Sequence, residues 1–162
     1  MATTTSPAGQ AGRPGLTLSR LATELSAICG PASVISDPLE LRTYECDGLT
    51  AHRASPGLVV LPEVAEQVAA VVAACARAGV PFVARGSGTG LSGGALPRTD
   101  GVLIVMSKMR RIISVDPASR RAIVEPGVTN LAVSQAVALF REVALADDYA
   151  DFLTIPAYER MP

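Results

Sequence analysis

The sequence predicts an α+β protein, a βαβ subdomain followed by a strand-rich second subdomain. "GLVVLP" at 57–62 and "VPFVAR" at 80–85 are short β-branched runs. Between them, "EVAEQVAAVVAACARAG" sets Val64, Val68, Val71, Val72 and Cys75 at helical spacing. Strand, helix and strand with such short connections make two parallel strands joined by a right-handed crossover. Three further runs, "GVLIVM" at 101–106, "RIISVD" at 111–116 and "RAIVEPG" at 121–127, follow as strands. The 162 residues, 49% apolar and 18% charged, suffice for one ordinary core, and length alone predicts one domain.

The opening "MATTTSPAGQAGRPG" is rich in Thr, Ser, Gly and Pro, so residues 1–16 are expected to be a disordered tail, neither secretory signal nor membrane anchor. "LTLSRLATELSAICG" places Leu18, Leu21, Ala22, Leu25 and Ile28 on one helical face, with Thr17 as N-cap and Gly30 as the stop. In "SDPLELRTYECDG", Asp37 and Pro38 open a short helix, and Asp47 with Gly48 ends it in a turn. Further on, "DPASR" has turn chemistry with Pro117 in the second position, which makes the last two strands a hairpin. Thr129 caps a helix through "NLAVSQAVALF". No apolar run is long enough for a membrane helix, since Arg, Glu or Pro interrupts each candidate.

Charge and composition exclude several functions. A net charge of −1 supplies no field for nucleic acid or an anionic membrane, and 4% aromatics without Trp leave little for stacking on bases. Cys29, Cys46 and Cys75 are odd in number and lack metal spacing, which fits reduced thiols in the cytoplasm rather than disulfides or zinc. His52 stands alone, so no His-rich metal site exists, and no catalytic residue is assigned.

"ARGSGTGLSGGALP" at 84–97 begins where the second strand ends, the edge at which open α/β sheets bind ligands. Gly86, Gly88, Gly90, Gly93 and Gly94 make it either a long flexible turn or a row of backbone N–H groups that close on an anion. Gly88, Gly90 and Gly93 satisfy GxGxxG, yet Pro97, Thr99 and Gly101 arrive where a dinucleotide fingerprint needs a helix. A Walker loop is also absent, because no Lys followed by Ser or Thr comes after the glycines. There remains a helix-free loop wrapping a diphosphate with the amides of residues 86–94 and the hydroxyls of Ser87, Thr89 and Ser92.

"PFVARGSGTGLSGGALP", continued by "GVLIVMSKMRRIISVDPASRRAIVEPGVTNLAVSQAV", resembles the FAD-binding domain of the vanillyl-alcohol oxidase (PCMH) type, nearest to glycolate oxidase FAD subunits and D-lactate dehydrogenases. "YECDGLTAHRASPGLVVLPE" matches the same subgroup's lead-in, and the resemblance covers residues 17–138. It implies an incomplete PCMH-type domain that binds FAD. Arg85, Gly86, Ser87, Gly88, Thr89, Gly90, Leu91, Ser92, Gly93 and Gly94 would form the pyrophosphate loop, with Pro126, Gly127 and Val128 near the cofactor. Arg85 has two readings, electrostatic help to the diphosphate or a structural ion pair. The family oxidises 2-hydroxy acids such as glycolate or D-lactate on the flavin, with the base, any metal ligands and the substrate pocket in later segments. Other subunits of a glycolate oxidase-like complex are the implied partners. The loop holds no His or Cys for a covalent flavin link.

After "NLAVSQAVA" the likeness stops. Residues 139–162, above all "DDYADFLTIPAYERM", resemble instead the C-terminus of bacterial malate synthase A, which together implies a truncated FAD module fused to a foreign tail. The alternative for these residues is a short helix packed loosely on the module, with Phe140, Phe152, Leu153 and Ile155 as its apolar contacts. The competing functions are then an FAD module whose catalysis needs the rest from elsewhere, an inactive fragment, and a small nucleotide-binding or interaction domain.

Overall fold

Helix α1 (Pro14–Cys29) begins inside the stretch expected to be a disordered tail, and Thr17 therefore lies within its first turn rather than at its cap. Proline is tolerated there because the first amides of a helix have no intrahelical acceptor. The computed structural model describes residues 14–116 and 118–144, and the chain divides into two compact units, 1–108 and 109–162.

In the first unit, α1 buries Leu21, Leu25 and Cys29, with Leu18, Ala22 and Ile28 against the same core, so the expected apolar face holds. A 3-10 turn leads into β1 (Val34–Ile35), a strand too short to show an alternating pattern in the sequence. Asp37 caps α2 (Pro38–Leu41): its Oδ1 accepts from the amides of Leu39 at 2.8 Å and Glu40 at 3.2 Å. There follow β2 (Leu58–Val60), α3 (Ala65–Ala78), β3 (Phe82–Arg85) and β4 (Val102–Val105).

The four strands form one sheet in the order β1-β2-β4-β3, with β1 antiparallel to β2 and both β2 and β3 parallel to β4. The strands flanking α3 are thus parallel, as expected, but β4 lies between them. Leu58, Val60, Val102 and Ile104 face the core shared with α1 and α3, whereas Val59, Leu103 and Val105 pack on the opposite face with Leu41. A strand buried on both faces reads as an unbroken apolar run, which is the pattern of "VLIV". Polar ties close the edges. Gln67 joins the Glu63 amide to the Ile28 carbonyl, and the Lys108 ammonium donates to Ser33 Oγ and Glu63 Oε1, both at 2.9 Å.

The second unit contains the expected hairpin, β5 (Ile112–Asp116) antiparallel to β6 (Arg121–Val124), with a register shift between Ile112 and Ser114. Its turn is closed by Asp116 Oδ1, which accepts from the Ser119 amide at 3.0 Å. Arg120 takes a left-handed φ of 52°. Pro117, assigned to this turn by sequence, lies outside the described residues. Helix α4 (Asn130–Ala144) opens where Thr129 Oγ1 accepts from the Ala132 amide at 3.3 Å, the expected cap. It runs on across residue 139, where the tail was expected to begin. Phe152, Leu153, Ile155 and the side chain of Phe140 lie outside the described residues. Among the described residues, no helix is long and apolar enough to cross a membrane.

Candidate functional site

Residues 86–94 leave the end of β3 and form neither helix nor strand, as a cradle distinct from the dinucleotide fingerprint requires. Gly88 and Gly93 take φ of 73° and 71°, the left-handed region in which a side chain costs about 1–2 kcal/mol. Among the described residues, no backbone hydrogen bond is donated by an amide of residues 87–94. Among the described residues, a Cβ added at Gly90 or Gly94 would meet no atom within 4 Å, so the loop keeps open space beside its undonated amides. Ser87 Oγ and Thr89 Oγ1 pair at 3.3 Å, and both residues are exposed, as are Leu91, at 74%, and Ser92. Such a surface offers an anion many donors and little steric resistance.

The loop rests on a segment that sequence reasoning assigned to the end of a short helix, its closing turn and the lead-in of the resemblance, with no role at the site. Arg85 Nη1 donates to the Tyr44 carbonyl at 3.2 Å, and the guanidinium carbon lies 6.0 Å from the Tyr44 ring centre. A Cβ at Gly88 would overlap that guanidinium. The Arg85 guanidinium thus has a protein partner, a carbonyl rather than the carboxylate an ion pair would need. At Gly48 a Cβ would stand 2.7 Å from both the Thr89 and Gly90 carbonyl oxygens. Buried Asp47 closes this segment's turn through Oδ1, which accepts from the Leu49 amide at 2.9 Å, while its buried Oδ2 has no hydrogen-bond partner among the described residues.

Pro126, Gly127 and Val128 belong to the second unit, in the turn between β6 and α4. Here side chains do the fixing. Glu125 is buried, and its carboxylate accepts from the Arg111 amide and Nε, both at 2.8 Å, with Arg111 Nη2 at 2.7 Å. Hydrogen bonding by the Arg111 side chain is the main cause that holds the Glu125 carboxyl below its usual range. The Glu125 amide donates back to the Arg111 carbonyl at 2.9 Å, Gly127 N donates to Met109 O at 2.9 Å, and Val128 N to Glu125 O at 3.1 Å. The "EPG" signal hid this clamp because Arg111 lies fourteen residues away.

Cys29 and Cys75 sit in the apolar core, where burial pushes both thiols up and keeps them protonated and unreactive. Among the described residues, no group of three or more His, Cys, Asp or Glu could hold a metal.

The sequence profile of the FAD binding domain family matches residues 56–144. The glycolate oxidase subunit GlcD of Escherichia coli K12 is 60% identical over 99 residues, 61% of this chain and 20% of that protein. The D-lactate dehydrogenase of Archaeoglobus fulgidus is 40% identical over 89 residues, 54% of this chain and 20% of that one. Among solved structures, p-cresol methylhydroxylase with substrate bound gives a TM-score of 0.62 at 23% identity, covering 75% of this chain and 24% of that one, a likeness of fold. The chain thus spans about a fifth of the length of the curated relatives it matches. The family match ends at residue 144 and lends no support to the malate synthase likeness of the last residues.

Proposed function

Because the chain belongs to the FAD binding domain family, we propose that residues 85–94 hold the diphosphate of FAD, with Pro126, Gly127 and Val128 contacting the same cofactor. The observation that carries this is the loop with left-handed Gly88 and Gly93 and amides that donate to no backbone acceptor among the described residues. A diphosphate withdrawn from water needs several donors, and charge strengthens each hydrogen bond to about 1.5–3 kcal/mol. Small residues let those amides approach without crowding, and the Ser87, Thr89 and Ser92 hydroxyls add donors. Arg85 contributes from behind, fixing Gly88 while its charge favours the anion.

The likeness to proteins named glycolate oxidase subunit and D-lactate dehydrogenase supports an oxidoreductase acting on 2-hydroxy acids such as glycolate or D-lactate. When bound, the flavin supplies the two-electron chemistry by which a 2-hydroxy acid is oxidised. In this reading the chain binds and orients the cofactor; the resemblance puts the proton-accepting base and the substrate pocket in later segments of the relatives, beyond the fifth of their length that this chain spans. The name of the Escherichia coli relative, a glycolate oxidase subunit, supports association with other subunits of a similar complex, and a cytoplasmic setting suits three free cysteines.

The test is the visible absorption spectrum of the chain, purified with and without added FAD, beside the variant Gly88→Val/Gly90→Val. Copurified or acquired flavin that disappears in the variant is the expected result. A protein that stays colourless with FAD overturns the assignment, and binding of ADP without FAD redirects it to a small nucleotide-binding domain.

A further inference from the structure

The glycine loop has no side chains of its own at most of the points where it must be held, so its shape has to come from a neighbour. One segment meets it at three successive places. Tyr44 holds the Arg85 guanidinium, which lies against Gly88. Gly48 sits so close to the carbonyls of Thr89 and Gly90 that a methyl group there would have to displace backbone. Leu49 Cδ2 lies 3.8 Å from where a Cβ at Gly93 would be. Asp47 sets the segment's own geometry by closing the turn on the Leu49 amide.

We infer that residues 44–49 are a positioning strut that moulds the diphosphate loop, and that Asp47 and Gly48 are its determining residues. The inference rests on the proposed role of residues 85–94 in holding the FAD diphosphate. Two physical features point the same way. A carboxylate nine-tenths buried with an oxygen unpartnered among the described residues is costly, and such cost persists where the surroundings over-determine a functional backbone. At Gly48 the obstruction is main chain, which cannot swing aside as the end of an Arg side chain can. The strut therefore fixes the direction of loop amides that donate to no backbone acceptor among the described residues. A chain segment so placed acts on ligand affinity without touching the ligand.

The experiment uses the full 162-residue chain and the variants Gly48→Ala, Asp47→Ala and Asp47→Asn. Amide 1H–15N spectra without nucleotide read the loop directly, and titrations with FAD and with ADP read its affinity. In Gly48→Ala and Asp47→Ala, the signals of residues 87–94 move and their heteronuclear Overhauser values fall, while FAD and ADP each bind about tenfold more weakly or worse, equivalent to about 1.4 kcal/mol. Asp47→Asn, which keeps an acceptor for the Leu49 amide, binds within about twofold of the unaltered chain. Loop signals unchanged in both Ala variants overturn the strut. So does unchanged FAD affinity in Ala variants whose loop signals have moved. Failure of the unaltered chain to bind FAD or ADP overturns the proposed function, while the nucleotide-free spectra still decide whether the strut shapes the loop. Should Gly48→Ala not fold, the two Asp47 variants carry the same decision.

Discussion

Residues 86–94 and residues 125–128 are both non-repetitive turns at strand ends, yet the chain fixes them by opposite means. The first dispenses with side chains and borrows its shape from residues 44–49, through backbone contact at Gly48 and a guanidinium at Gly88. The second is held by a buried carboxylate and an arginine that meet each other with both backbone and side chain. A loop that must leave its amides free cannot spend them on internal hydrogen bonds, so the support has to be steric and external. A turn whose amides are already spent on Met109 and Glu125 carbonyls can afford to be a closed unit.

The largest expected effect comes from giving the glycine loop a side chain. Gly88→Ala forces a left-handed φ on alanine at about 1–2 kcal/mol and displaces the Arg85 guanidinium, so both thermal stability and FAD affinity fall. Gly90→Ala meets open space, so its stability stays within about 0.5 kcal/mol while FAD binding weakens. Calorimetry beside flavin titration separates the two. Equal losses of stability would mean that Gly90 is a structural residue like Gly88, and the loop would no longer differ from an ordinary packed turn.

A smaller effect belongs to the clamp. Arg111→Met leaves the Glu125 carboxylate buried without its guanidinium, whereas Glu125→Gln removes the charge and keeps most of the shape. The arginine variant is therefore expected to lose more in Tm and to weaken FAD roughly threefold to tenfold, because stranding a buried charge costs more than deleting the pair's other half. Acid offers a second handle. The Glu125 carboxyl is lowered in the folded chain, so its contribution is fully present above the ordinary glutamate value of about 4.3 and is lost as pH falls through the lowered native value. Glu125→Gln should flatten that acid limb of the Tm profile; an unchanged limb would assign it to other carboxylates such as Asp116, lowered mainly by its hydrogen bond to Ser119.

Much of both units was legible because the signals are local. Val71, Val72 and Cys75 on the α3 face, the Asp37 and Thr129 caps and the β5–β6 hairpin each follow from residues a few positions apart, although Val64, expected on that face, precedes the helix and is exposed. The order β1-β2-β4-β3 was not legible, since burial on both faces makes "LVV" and "VLIV" alike and nothing in either run names its neighbour. Of the candidate site, the glycine loop announced itself by composition. Its support did not: Tyr44 and Arg85 are 41 residues apart, and Gly48 looks in sequence like any Asp-Gly turn. Only the placement of Thr89 and Gly90 against it shows that its hydrogen is required.

The smallest expected effect tests whether the strut is held by charge at all. Arg53 Nη1 meets Glu45 Oε1 at 2.6 Å, an ion pair on the segment that carries Asp47 and Gly48. The arginine side chain is 63% exposed, so water screens the pair, and Arg53→Ala should cost only about 0.2–1 kcal/mol. The backbone makes the pair redundant, because the Ala54 amide already donates to the Glu45 carbonyl at 2.8 Å. FAD affinity should therefore remain within about twofold of the unaltered chain, at low and high salt alike. A larger, salt-sensitive loss would show that residues 44–49 depend on a surface charge for their position, as 125–128 depend on a buried one. The steric account of the glycine loop would then give way to a single electrostatic one for both regions.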